Sequence, residues 1–161
     1  MLDQWLTGLE ATVLARSLRD SVWAYPLVNT GHILGVALLV GSIIPLDLRL
    51  LAAWGAWPLA PLWHVLTRTA AAGLVLAIVF GALLFATRAT EYAASPFFLA
   101  KMVIVLAAAA NALVLRIALP PGTSLEGKTR GALPWRVRGA AGFSLVAWLA
   151  ALTLGRLVGY F

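Results

Sequence analysis

The chain has 161 residues, of which 62% are hydrophobic and only 11% charged, with a mean hydropathy of +0.94. A water-soluble domain of this length cannot hide so much apolar surface, so the expected solvent is lipid and the expected unit is one compact bundle. The net charge of +6 does not indicate nucleic acid, because the basic residues flank apolar runs rather than forming a stripe with aromatics. The absence of cysteine removes disulfides, thiolate metal sites and iron–sulfur clusters.

The first segment, residues 2–18, places Leu2, Trp5, Leu6, Leu9, Val13 and Leu14 near one helical face, with Asp3, Glu10 and Arg16 elsewhere. That pattern predicts an amphipathic helix lying in the membrane interface; a helix packed on a partner subunit is the alternative. Met1–Trp5 lacks a basic start and no small-residue cleavage site follows, so no cleavable signal peptide is expected and the first span serves as the insertion signal.

A membrane span needs about 20 apolar residues. Four are predicted, at about 22–46, 62–87, 96–119 and 137–158. Pro61 opens the second, where a missing N–H costs nothing, and Pro120-Pro121-Gly122 stops the third. The expected fold is therefore an all-α, integral membrane four-helix bundle with a short interfacial helix before it. The longest polar stretch, Pro120–Arg138, is too short for a catalytic domain. Small residues recur at helical spacing: Gly31 and Gly35; Gly73, Ala77 and Gly81; Ala108 and Ala112; Ala147, Ala151 and Gly155. Such rows let helix backbones approach closely in lipid. No internal repeat is visible.

Seven basic residues fall on the side of the 47–61 and 120–138 loops, and five on the side of the termini and the 87–95 loop. The positive-inside bias then places both termini in the periplasm of a bacterial inner membrane.

Polar groups inside a span carry a functional expectation. On the first span, Tyr25, Asn29, His32 and Gly35 share an arc of roughly 120°. His32 lies roughly 15 Å deep. A neutral imidazole is the usual axial ligand of haem iron, and Gly35, one turn on, would leave room for a flat macrocycle. A buried histidine bonded to a backbone carbonyl is the structural alternative. His64 starts the second span at the other membrane face, so a bis-histidine site is not expected; beside Trp57 and Trp63 it reads as an aromatic-belt residue. Lys101 opens the third span on the side of His32. It can reach a propionate, a quinone carbonyl or an anionic substrate, or snorkel to the headgroups. Arg88 and Glu91 fit the mouth of such a site. Asn111 suits a hydrogen bond across helices, and Asp47 with Arg49 suits a clamp at the end of the first span or a proton entry point. No acidic residue is expected mid-membrane, which disfavours a proton pump built on buried carboxylates.

The strings Asn29-Thr30-Gly31-His32-Ile33-Leu34-Gly35, Gly41-Ser42, Leu46-Asp47-Leu48-Arg49-Leu50-Leu51, Phe98-Leu99-Ala100-Lys101-Met102 and Asn111-Ala112-Leu113 resemble a family of functionally uncharacterised bacterial four-helix inner-membrane proteins. More loosely, the layout resembles the membrane protoporphyrinogen oxidase family, which pairs a histidine on its first helix with a lysine opening its third, the positions of His32 and Lys101. It also resembles the copper-resistance D family. The oxidase resemblance implies haem binding and porphyrin oxidation; that family carries a further histidine on its third helix, where this chain has Asn111 or Arg116. Copper transport would want more histidine, methionine or cysteine ligands than this chain holds.

Three functions are expected, in this order: a haem b- or quinone-associated electron-transfer subunit with His32 as metal ligand and Lys101, Tyr25, Asn29 and Gly35 in support; a cofactor-free accessory subunit of a larger respiratory or photosynthetic complex; and a small-solute or metal transporter. The lipid bilayer is the expected partner, with other membrane subunits or a homo-oligomer possible and nucleic acid not.

Overall fold

A computed structural model describes residues 1–52, 59–118 and 133–160. Its elements are α1 (Leu2–Glu10), α2 (Val13–Asp20), α3 (Ala24–Leu50), α4 (Leu59–Thr87), α5 (Ala89–Ala94), α6 (Pro96–Ala118) and α7 (Trp135–Leu157). Helices α3, α4, α6 and α7 are each long and apolar enough to cross a membrane, and together they form an all-α four-helix bundle. Trp57, Pro120-Pro121-Gly122, Lys128 and Arg130 lie outside the described residues.

The expected helix over residues 2–18 is two helices. Thr12 breaks it: its backbone is extended, its hydroxyl donates to the Leu9 carbonyl at 2.7 Å, and the same oxygen caps α2 by accepting from the Ala15 amide at 3.3 Å. A threonine that satisfies both helix ends makes a bend cheaper than a continuous helix. The apolar face expected for an interfacial helix does point outward, with Leu2, Trp5, Val13 and Leu14 exposed.

The first span starts at Ala24, two residues later than expected, where the Ser21 hydroxyl accepts from the Ala24 amide at 3.1 Å. It runs on to Leu50 and ends with Ala52 in the left-handed region, φ 64°. The expected Thr87–Ser95 loop contains α5, and Ser95 accepts from the Phe98 amide at the start of α6. The last span begins and ends slightly earlier than expected, at Trp135 and Leu157.

Helix α3 is the centre of the bundle: half of its most apolar window is buried, against 11% for α6. It crosses α4 at the small-residue rows. A Cβ on Gly35 would stand 2.5 Å from the Ala77 backbone nitrogen, and one on Gly73 would stand 2.5 Å from the Leu39 nitrogen. On its other side α3 packs on α7 through Leu39, Ile43, Ala147 and Trp148, with Ala108 of α6 completing that cluster. A second cluster, nearer the α3–α4 connection, joins Leu46 and Leu50 to Leu59, Trp63, Leu115, Val137 and Ala141.

The N-terminal helices are tied to the end of the bundle that carries α5. Glu10 accepts two hydrogen bonds at Oε1 from Thr90, from the backbone amide and the hydroxyl, both at 2.7 Å. Arg19 donates to the Thr87 carbonyl at the end of α4, at 2.9 Å. The Thr90 bonds, the amide first, hold the Glu10 carboxyl below its ordinary value of 4.5. A depressed folded-state value means the latch is fully formed above pH 4.5 and is lost as pH falls through the lower value.

Two predictions follow from these contacts. Gly35→Ala should destabilise the detergent-solubilised protein by about 1–3 kcal/mol, because α4 backbone must move. Gly41→Ala, where a Cβ meets nothing within 4 Å, should be neutral or stabilising by up to about 1 kcal/mol. Thermal unfolding of the two variants side by side checks this. For the latch, Glu10→Ala should speed hydrogen exchange of the Thr90 amide at neutral pH, and the wild type should approach the variant only when acidified well below pH 4.5.

Candidate functional site

The site expected on α3 assembles at the α5 end of the bundle. His32, the ninth residue of α3, lies about 12 Å along the helix from its start. Its ring is half-buried and packs over Gly81 of α4, where a Cβ would stand 3.0 Å from Cε1. Its Nδ1 lies 2.8 Å from the Ala77 carbonyl oxygen. A carbonyl oxygen only accepts, so Nδ1 carries the proton and donates. In the neutral ring Nε2 is then the bare nitrogen, able to ligate a metal or to accept a proton.

Lys101 is the second group. Its stem runs along Gly155 of α7, whose missing side chain leaves the ammonium nitrogen 3.5 Å from the position a Cβ would take. Nζ sits 6.0 Å from the centroid of the Phe98 ring and close enough to His32 to act electrostatically on the imidazole. No carboxylate among the described residues pairs with it, since the one ion pair there joins Arg88 and Glu91. Lys101 therefore lies packed against α7 and Phe98 rather than reaching only outward to headgroups.

Tyr25 lies one helical segment nearer the surface. It lines an open cleft of about 560 Å³ together with Arg19, Thr87, Arg88, Glu91 and Tyr92. Arg88 and Glu91, expected at a mouth, do line it, and they pair at 3.2 Å. Tyr92 of α5 interacts with the Tyr25 hydroxyl, and burial, then that neighbour, holds its phenol above the ordinary range. The Tyr92 phenol thus enters as a neutral group at physiological pH. Tyr92 also closes a triad with Phe85 and Phe98, whose centroids are 5.4–6.2 Å apart. The triad joins the cleft to Lys101 through Phe98, and nothing in the sequence pointed to it, because its members come from three helices.

Two expected members fall elsewhere. Gly35 does not leave room for a macrocycle: the Ala77 backbone and the Gly73 carbonyl fill the space over it. Helix–helix packing uses that small residue completely. Asn29 is exposed and is not among the cleft residues, so it shares the arc of His32 without sharing its surroundings.

His64 is exposed, and the Gly35–Gly73 crossing fixes its level about 20 Å along the bundle from His32, so the two histidines do not share a ligand. No group of three or more His, Cys, Asp or Glu side chains able to hold a metal occurs among the described residues. Asn111 takes the structural role expected of it, donating from Nδ2 to the Ala140 carbonyl of α7 at 3.0 Å. Asp47 and Arg49 are both buried, and most of the loop they are expected to clamp lies outside the described residues.

No family model matches the chain, and neither a curated protein nor a solved structure matches it as a relative. One end of the multi-pass membrane bundle thus gathers an imidazole held by a backbone carbonyl, an ammonium with no carboxylate partner among the described residues, and an aromatic triad.

Proposed function

We propose that the protein is a membrane electron-transfer subunit that holds a redox group, a quinone or a haem b, at His32 and Lys101. The observation that carries the reading is the hydrogen bond from His32 Nδ1 to the Ala77 carbonyl. It orients the ring and leaves Nε2 bare, the arrangement found where imidazole serves as a metal ligand or a proton acceptor.

Of the two groups the quinone fits more of the surroundings. A haem needs a broad slot, and the slot expected over Gly35 is filled by α4. A quinone headgroup needs only an aromatic wall and one or two polar partners, and it arrives through the lipid. Phe98, with Phe85 and Tyr92 behind it, supplies the wall. Lys101 supplies a cationic donor to a carbonyl oxygen, and His32 Nε2 a proton acceptor for a hydroxyl. When bound, the group supplies two-electron, two-proton chemistry; the chain's part is to orient it and to take or return a proton at Nε2. Were a haem b bound instead, His32 Nε2 would hold its iron and Lys101 would pair with one of its carboxylates. The same reading places the subunit in a bacterial inner membrane with both termini in the periplasm, so that the site lies in the periplasmic half.

The second reading, a cofactor-free accessory subunit, draws on the outward faces of α4 and α6, where Val75, Ile78, Val103, Leu106, Val114 and Ile117 are exposed. Lipid or the helices of a larger complex would cover them equally well.

The test is the detergent-purified protein, scanned before and after dithionite and extracted for quinones. The expected result is haem bands or a quinone in near-stoichiometric amount, reduced about 10–100-fold in His32→Ala. That variant should lose about 1–3 kcal/mol of stability from the lost Nδ1 hydrogen bond and lost packing. A colourless wild type with no quinone above the lipid background would overturn the electron-transfer reading in favour of the accessory subunit. Full cofactor content in His32→Ala would remove His32 from the site.

A further inference from the structure

At the opposite end of the bundle lies a carboxyl that the His32 site does not use. Asp47 is only 3% exposed and sits one turn before the end of α3. It faces α7, where the buried Ser144 hydroxyl is its hydrogen-bonding neighbour. Its second oxygen, Oδ2, is buried with no hydrogen-bond partner.

A carboxylate removed from water must be neutralised by a cation, by several donors or by a proton. The helices packed around that end of α3 are α4, α6 and α7. Arg49, two residues along α3, has a partner of its own and makes no ion pair with Asp47. Helix α7 offers Ser144 and, one turn further, Trp148, which is 4% exposed and whose indole N–H lacks an acceptor. Helix α6 offers Asn111, whose amide is committed to the Ala140 carbonyl. Helix α4 brings the apolar packing of Leu59 and Trp63 around Leu46 and Leu50. Among the described residues none of these supplies a compensating cation, and the one donor facing Asp47 is the Ser144 hydroxyl. A metal ion would demand more oxygens than Asp47 and Ser144 present. What remains is a proton, and water is near: Asp47 is three residues from the end of α3, about 5 Å of helix rise.

We propose that Asp47 and Ser144 form a proton-binding site buried between α3 and α7 and loaded from the nearer membrane surface. The step moves one proton and no electrons: hydronium transfers it to Oδ2, an O–H bond forms, and water leaves. Ser144 holds the carboxyl in place as a positioning residue. This site stands independently of the redox reading, because it uses no residue of the His32 cluster.

Infrared spectroscopy of the reconstituted full-length protein tests it, as a pH titration in H2O and D2O. The expected result is the carbonyl stretch of a protonated carboxylic acid that shifts in D2O, rises and falls reversibly with pH, and is missing from Asp47→Asn. That variant keeps the shape of the neutral acid and should fold as the wild type does. Ser144→Ala should keep the band but shift its frequency by removing a hydrogen bond. Identical acid-carbonyl regions in the wild type and Asp47→Asn at every pH would overturn the proposal. So would a band that vanishes on adding sodium but not choline at fixed pH, which would make the site one for a metal ion. An unmoved frequency in Ser144→Ala would remove Ser144 from it.

Discussion

The close crossing of α3 and α4 at Gly35 and Gly73 is the contact on which the remaining geometry depends. In lipid there is no hydrophobic drive between helices, so a bundle is held by dispersion contacts and by hydrogen bonds that short interaxial distances allow. Here the backbones meet with no room for a Cβ on either side. Above that point the approach leaves a shelf over Gly31, filled by the Phe80 ring, and one at Gly81, filled by the His32 imidazole. The register this imposes is what brings His32 Nδ1 to the Ala77 carbonyl. A one-residue slip of α4 would rotate both shelves away and leave a buried imidazole without a partner. Packing and candidate chemistry are thus one constraint.

Polarity is distributed along the bundle according to the same logic. At the α5 end, the helix termini that have left the apolar region are satisfied by the N-terminal helices: Glu10 caps α5 through Thr90 and Arg19 caps α4 through Thr87. This fastens two otherwise independent surface helices beside the cleft that leads toward Phe98 and Lys101. Farther in, Asn111 meets a partner on α7, Lys101 is screened by Gly155, and Thr69 and Thr153 bond carbonyls of their own helices. Asp47 and Trp148 are exceptions, the first with a buried oxygen and the second with a buried indole N–H that has no hydrogen-bond partner.

Much of this was legible in the chain itself. Span number and approximate span limits follow from the length of apolar runs, and two of the deviations come from single hydroxyls: Thr12 divides the N-terminal segment and Ser21 delays α3. The small-residue rows were readable as contact surfaces, but periodicity does not say which partner covers a row. Gly35 therefore read equally as packing surface and as room for a cofactor. Asn29 and His32 share a helical arc, yet one is exposed and the other half-buried, because the neighbouring helix covers only part of that arc. The aromatic triad and the Asp47–Ser144 pair were invisible for a different reason. Their members lie on different helices and are of ordinary residue types, and only the tertiary contact, or the lack of one, gives them meaning.

The central claim is that the α3–α4 crossing fixes the His32 ring with Nδ1 protonated and Nε2 bare. Solid-state nitrogen NMR of the protein labelled at histidine, with His64→Gln to leave one signal pair, measures this directly. The account predicts a neutral ring with a protonated Nδ1 correlated to the Ala77 carbonyl carbon, and an unprotonated Nε2 whose shift moves when the redox group is extracted. A ring protonated at Nε2 and bare at Nδ1 would contradict it, since the Ala77 carbonyl could not then be the acceptor that holds the ring.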